Sequence, residues 1–572
     1  MSRDPRLAEL IDAALTGRLS RRDVLRRSAA IGLGATAAAA LATARGDALV
    51  STAAAQEAGG ELIVGSSQEA VNYNPLLYAN TGIETLPEVL MFDSLMKVQP
   101  DGTYVANLAT DVPTAANGGI SADGLTWTFK LRNDVKWHDG QPFTARDVQF
   151  TWQTVMNPKV AVRSRTGHDK VASVETPDEY TVVMKLKEPF APFQTLWTGG
   201  VTGVIPAHIL EKEADINKAA FNTTAPVGTG PFKFVEHVGG DHLTVERNPD
   251  YHGAAAKLDR IIVKLVPEVP VLFTQFKTGE IQVVDYQGIE PDRFEEAEGL
   301  EGRTVIRKPT NFVEFIYFNN SLPQFADKRV KQAIYHASDA ATIVDTIYYG
   351  LETPTLTYLN PKHWAYNPEV KTYPYDLEKA KALLDEAGFV PGDGGIRAKG
   401  DVRLAFAMST SAGNQSRESA QQILQQAYKE IGIELTIDNR PASTLWTEDV
   451  PAGKFETLMV AWDNPIPSDP DPTSRLHSTM IPVESGAGAN YVQFKNAEAD
   501  KLMEQGVRET DQAKRAEIYQ QLQALLAEEL PWAPLFNNVD KFGYANELQG
   551  YEINPYSATN FGNAVTWTLT KK

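Results

Sequence analysis

Trp137-His138-Asp139-Gly140-Gln141-Pro142-Phe143-Thr144-Ala145-Arg146-Asp147-Val148 packs a turn and a helix start into one short stretch. Asp-Gly is a turn dipeptide, and a Trp beside it serves packing. Thr144 is placed as an N-cap, with Asp147 at the third helical position in a capping-box-like arrangement. On either side, residues 126–131 (TWTFKL) and 181–186 (TVVMKL) alternate with period 2, the pattern of half-buried strands. Further out, residues 61–65 predict a short buried strand, and residues 261–266 another. Residues 232–236 and 243–247 flank Gly239-Gly240-Asp241, a hairpin signal that sets His237 and His242 facing each other. The later half turns helical over 328–348, over 377–387 with Gly388 as C-cap, and over 418–431 with Gly432. Residues 434–437 return as a strand, and 513–529 form a helix stopped by Pro531. The pattern predicts a mixed α/β chain in at least two lobes.

The 572 residues carry 54 Lys and Arg against 73 Asp and Glu, a formal net charge of -19. At roughly 100–200 residues per domain, that length predicts about three folding units with large cores. A composition 42% hydrophobic and 9% aromatic excludes a mostly disordered chain. The acidity argues against a phosphate-binding surface, and so against nucleic acid as a partner. No cysteine is present. That removes disulfides, thiolate metal sites, a cysteine nucleophile and a cysteine-linked lipid anchor.

The first 55 residues predict an export leader. Ser20-Arg21-Arg22-Asp23-Val24-Leu25-Arg26 precedes an apolar stretch at 29–44, and Ala53-Ala54-Ala55 offers small residues for cleavage. Paired arginines after a Ser, with a Gly- and Thr-diluted apolar run, resemble a twin-arginine signal, implying the Tat export machinery as a partner. The apolar run is shorter than the roughly 18 residues that a membrane span needs. Removing the leader takes away eight arginines and five acids, deepening the charge from -19 to -22.

Together, several strings resemble family 5 extracellular solute-binding proteins, the peptide, dipeptide and nickel receptors of ATP-binding-cassette (ABC) importers. They are the opening string, the preceding Asp123-Gly124-Leu125-Thr126-Trp127-Thr128-Phe129, and Gly228-Thr229-Gly230-Pro231-Phe232. Arg247-Asn248-Pro249-Asp250-Tyr251, Phe318-Asn319-Asn320, residues 327–334 and 379–388, and Leu530-Pro531-Trp532-Ala533-Pro534-Leu535 come after them in the same order. The resemblance covers nearly all of 60–572. It implies an α/β, periplasmic-binding-protein-like fold of type II, two-lobed and hinged, with an extra inserted domain. Lobe I would comprise 60–100, 222–308 and 537–572, the insert 101–221, and the second large lobe 309–536. Lys308-Pro309 and Phe536-Asn537 sit at the expected crossings, where a few residues can absorb a hinge rotation.

A cleft between lobes needs apolar surface with a few placed polar groups. Tyr73 and Asn74 lie on a loop after the first strand and are candidates. Trp462 and Asp463 begin a proline-rich segment that runs to Pro472. In peptide-binding members a comparable segment carries an Asp that pairs with the peptide ammonium. That carboxylate does not fall in register here, so Asp463 and Asp469 both stand as candidates. Asp469 and Asp471 also suit turn and N-cap duty before Thr473. Asn490 and Tyr491 occupy a cleft-side loop by the resemblance. Trp446 and Asn319 complete the expected lining, and Arg475 suits a ligand carboxylate.

Catalytic and nucleotide-binding motifs are missing from the mature chain: no G-x-S-x-G elbow, H-E-x-x-H, P-loop or EF-hand loop occurs. Two histidines without a third ligand make a poor metal site. The expectation is a non-enzymatic, monomeric receptor without metal or cofactor. It would act outside the cytoplasmic membrane, unlipidated, delivering an oligopeptide to a permease. Receptors for an oligosaccharide, metal chelate or haem are the alternatives, and a secreted hydrolase is the reading from another class.

Overall fold

Two long antiparallel strands, Arg303–Phe318 and Trp532–Ala545, form the spine of an eleven-stranded mixed sheet in the computed structural model. It describes residues 59–77, 81–284, 288–441, 444–462, 469–486, 488–554, 556–557 and 559–570. The expected export leader lies outside these residues. Outward from Trp532–Ala545 come Val283–Val284, Glu61–Ser66, Arg260–Leu265, His242–Arg247 and Phe232–Val238. Outward from Arg303–Phe318 come Thr457–Trp462, Ala405–Ser409 and Glu434–Ile437. Between the two halves the spine loses register, with breaks at Pro309/Val313 and Glu314/Phe315. The unpaired stretch is held from the side. Asn360 Nδ2 donates to the Thr310 carbonyl at 3.1 Å, and Thr310 Oγ1 donates to the Asn538 carbonyl at 3.0 Å. A bulge bends a strand and re-aims the residues beyond it.

Period-2 alternation sends successive spine residues to opposite faces. Ile316, Phe318, Met459, Ala533 and Leu535 join one core with helices Lys328–His336, Leu377–Glu386 and Gln415–Glu430. Phe315, Tyr317, Leu458, Val460 and Trp532 join another with helices Ala497–Arg508 and Gln512–Glu529. In the other half Leu62, Val64, Ile261 and Val283 pack on one side, and Val284 packs with Leu272 and Phe276 on the other. The helix expected over 328–348 is broken into Lys328–His336 and Ala340–Ile347. The cause is Asp339, which accepts from Thr342 N at 2.9 Å and starts the second helix as its N-cap.

The opening string belongs to a separate three-stranded antiparallel sheet, ordered Thr126–Lys130, Thr181–Leu186, Val171–Asp178. Trp127, Phe129, Trp137, Phe143 and Met184 share its core. Asp147 ties the string together, accepting from Thr144 N (2.9 Å), Ala207 N (3.0 Å) and Trp137 Nε1 (3.4 Å). Burial raises its pKa. His138 reaches the Gly-Thr-Gly string: Gly228 N donates to Nδ1 at 3.2 Å, so Nε2 carries the proton offered to Gly230 O at 3.1 Å. Burial pushes His138 down to about 4 and keeps it neutral. His237 and His242 are not opposite each other. The hairpin register sets His237 across from Leu243, and His237 Nε2 meets Glu69 Oε1 at 2.8 Å instead.

Candidate functional site

A cavity of about 590 Å³ opens between two segments far apart in sequence. One wall comes from Arg165, Gly167, Lys170 and Glu188–Phe190 of the small-sheet region. The other comes from Asp471, Ser474, His477 and Met480, with Val507 and Arg508 at the end of helix Ala497–Arg508. The walls meet through a main-chain hydrogen bond, Ala191 N to Val507 O, 2.6 Å. Pro189, Phe190, Met480 and Val507 supply apolar surface. Lys170 pairs with Glu188 at 2.5 Å, and His477 Nε2 lies 3.5 Å from Glu504 Oε1. The volume falls within the roughly 300–1,000 Å³ of small-molecule sites, and apolar walls with few polar groups suit one.

Behind the second wall sits a buried ion pair. Arg515 donates Nη1 to Asp469 Oδ2 (2.7 Å) and Nη2 to Asp469 Oδ1 (2.8 Å). Its Nε donates to Gly506 O at 2.7 Å. Asp471 faces the cavity, and its Oδ1 accepts from Thr473 N at 3.1 Å and Thr473 Oγ1 at 2.5 Å. Burial, and then the Asp469 carboxylate, push the Asp471 carboxyl up to about 6. Tyr358 donates to Pro470 O at 2.9 Å and holds the turn between the two acids.

Four expected site residues form one aromatic cluster. Trp446 and Trp462 meet edge to face at 5.2 Å, and Tyr491 lies 6.4 Å from Trp462. The Arg475 guanidinium stands 4.4 Å over the Trp462 ring, a cation–π distance. Trp446 Nε1 donates to Ser411 Oγ at 2.9 Å. Trp462 Nε1 is buried without a hydrogen-bond partner among the described residues.

The other expected residues are committed to the protein's own frame. Asn490 Nδ2 donates to the carbonyls of Leu476, His477 and Phe494, and its Oδ1 accepts from Phe494 N. Asn319 Nδ2 donates to Gly453 O and Phe455 O, and Asn74 Nδ2 donates to Asn222 Oδ1. Tyr73 is buried against Phe234 and His237. Asp469 holds Arg515, and Asp463 lies outside the described residues. Arg165, Lys170, Glu188, Ser474, His477 and Arg508 line the cavity without having been singled out in the sequence. Among the described residues no group of three or more histidines and acids is placed to hold a metal ion. No helix among them is long and apolar enough to cross a membrane.

Residues 103–480 match the family described as bacterial extracellular solute-binding proteins, family 5 Middle. The oligopeptide-binding protein AppA of Bacillus subtilis is 29% identical over 519 residues, covering 90% of this chain and 92% of AppA. The structure of Bacillus subtilis AppA in complex with a nonapeptide superposes with a TM-score of 0.73 at 28% identity, covering 90% of this chain and 100% of that one. The ABC transporter substrate-binding protein CtaP of Listeria monocytogenes gives a TM-score of 0.76 at 26% identity, covering 90% and 100%. Heme-binding protein A of Haemophilus influenzae is 26% identical over 464 residues, covering 77% of this chain and 81% of its own. Solute-binding receptors, not enzymes, populate these matches, and the chain belongs to family 5 of the bacterial extracellular solute-binding proteins.

Proposed function

We propose that this chain captures a peptide or peptide-like solute and delivers it to the membrane permease of an ABC importer, without chemistry. The observation that carries the reading is the cavity of about 590 Å³ with apolar walls and charged groups of both signs. A peptide presents the same mixture, and the relative AppA has been seen with a nonapeptide. The reading takes 60–100, 222–308 and 537–572 as lobe I, 101–221 as the insert and 309–536 as the other lobe. The register break at 309–313 then serves as a hinge. Ligand biases an open–closed equilibrium by its differential affinity for the two forms, and the closed form docks on the permease. The leader sends the protein out by the twin-arginine route. Without a cysteine for a lipid it works as a free monomer on the outer side of the cytoplasmic membrane.

Native mass spectrometry of the protein as purified tests this directly. An intact peptide released on denaturation is the expected result. A bound haem, metal chelate or glycan, or cleavage products from added peptides, would replace the peptide reading. Added ligand should also stabilise the fold by RT ln(1 + [L]/Kd), raising the melting temperature with ligand concentration, with no turnover.

A further inference from the structure

Away from the hinge strands, two small contacts tie lobe I and its insert to the other lobe. The C-terminal stretch packs with lobe I: Phe561 and Trp567 share a core with Leu62 and Val64. Asn554 Nδ2 donates to Val98 O at 2.8 Å, and Lys308 Nζ donates to Ser557 O at 2.7 Å. From this stretch Tyr556 crosses to the other lobe. Its hydroxyl donates to Lys362 O at 3.3 Å, and its ring meets His363 edge to face at 6.2 Å. Lys362 and His363 are fixed on that side by Ala365, which packs with Tyr519 and Trp532 and accepts from Gln523 Nε2 at 2.7 Å. The second contact joins the insert to helix Ala497–Arg508 through Ala191 N and Val507 O, 2.6 Å apart. Beside it the Glu188 carboxyl, held below its usual range by its bond to Lys170, is lowered further by the Arg508 charge across the seam. Between the two contacts Tyr104 of the insert stands within electrostatic reach of Asp469, Arg515 and Tyr556. Tyr556 itself stands outside the cavity of about 590 Å³.

We propose that these contacts form a latch that the protein closes on itself, with Tyr556 as the positioning residue that sets how much of the solute-free receptor is shut. The latch rests on the two-lobe division and the hinge proposed above, and on no particular solute. The size of the contacts supports it. One neutral hydrogen bond stabilises only modestly on balance, and an exposed ion pair less still. Contacts this small bias an open–closed equilibrium without locking it, so a solute can enter and leave. They form only when the lobes approach, and an interaction made in one state alone is what shifts a population. Apparent affinity scales with the fraction of chains in the competent state. Tyr556 therefore tunes capture without touching the solute.

The test exploits the lack of cysteine in the chain. The 2.6 Å main-chain bond leaves the Cα atoms of Ala191 and Val507 no more than about 6.5 Å apart, within reach of a disulfide. The double variant Ala191→Cys/Val507→Cys therefore carries the only two thiols, one on each side of the seam. It is dialysed free of solute and oxidised with glutathione disulfide, and the loss of free thiol is timed. The pair is expected to cross-link, and the oxidised protein to scatter X-rays with a smaller radius of gyration than the reduced one. Adding Tyr556→Phe, which removes only the hydroxyl, is expected to slow cross-linking roughly two- to fivefold with the urea midpoint nearly unchanged. Tyr556→Ala also removes the ring contact and should slow it further. A purely local role for Tyr556 would leave cross-linking at the other contact untouched. Failure to cross-link, equal rates with and without the Tyr556 changes, or identical scattering of the oxidised and reduced forms overturns the latch and leaves solute capture standing. No solute is added, so a captured solute other than a peptide overturns peptide capture and leaves the latch in place.

Discussion

Arg515 and Asp469 face each other as a two-pronged pair, with Nη1–Oδ2 at 2.7 Å and Nη2–Oδ1 at 2.8 Å, both side chains buried. The pair links helix Gln512–Glu529 to the segment that forms one cavity wall. Removing one partner leaves the other charge buried and uncompensated. Asp469→Asn is expected to cost about 3–5 kcal/mol, read from the urea unfolding midpoint. The double variant D469N/R515M removes the stranded charge and should recover much of that loss. A D469N protein as stable as the parent would show that the pair is not needed for the fold.

Asp471 imposes a pH dependence of its own. Its folded carboxyl is raised from an ordinary 3.8 to about 6, so the folded chain holds this proton more tightly than the unfolded one. The stability this supplies is present below pH about 4 and is lost as pH rises through about 6. Asp471→Asn has no such loss. It should match the parent near pH 4 and exceed it by on the order of 2 kcal/mol at pH 7.5. Thermal unfolding at the two pH values checks the crossover.

Asn490 and Tyr491 are neighbours in sequence with different duties. Asn490→Ala removes three donated hydrogen bonds and one accepted one from a buried site, an expected loss of about 2–4 kcal/mol. Tyr491→Ala loosens a ring contact 6.4 Å from Trp462 and is expected to cost about 1 kcal/mol or less. Chemical denaturation separates the two, and equal losses would contradict the assignment.

Gly228 is closed to any side chain. A Cβ there would lie 1.8 Å from the Met91 carbonyl oxygen, a backbone atom that cannot swing aside. Gly228→Ala is expected to abolish soluble expression or lower the melting temperature sharply. Gly240, at φ +78 with nothing within 4 Å, is the control. Gly240→Ala should cost only about 1 kcal/mol, the strain of a left-handed turn.

The local elements were legible because their causes are local. Thr144, Asp147 and the alternation in 126–131 predict strand, turn and helix from neighbours alone, and the strands and helix stand there. The apolar spacing over 328–348 hides a break, because it continues through Asp339, whose capping bond to Thr342 ends one helix and begins another. Of the candidate residues, Trp446, Trp462, Arg475 and Tyr491 converge in one cluster. Asn74, Asn319 and Asn490 satisfy buried polar groups of the frame, a role that residue type does not distinguish from ligand contact.

The sequence by itself determined the family, the strands and helices that build the sheet, and the absence of any thiol, since each depends on residue order or identity. Only the tertiary structure decided which carboxylate makes the ion pair. Asp469 and Asp471 look alike in the chain, and Arg515 lies more than forty positions away. Folding pairs that guanidinium directly with Asp469 and leaves Asp471, which it reaches only at longer range, on the wall of a cavity whose far side comes from residues 165–190. A charge pair forms over a few ångströms of space whatever the separation along the chain, so no local pattern could announce it.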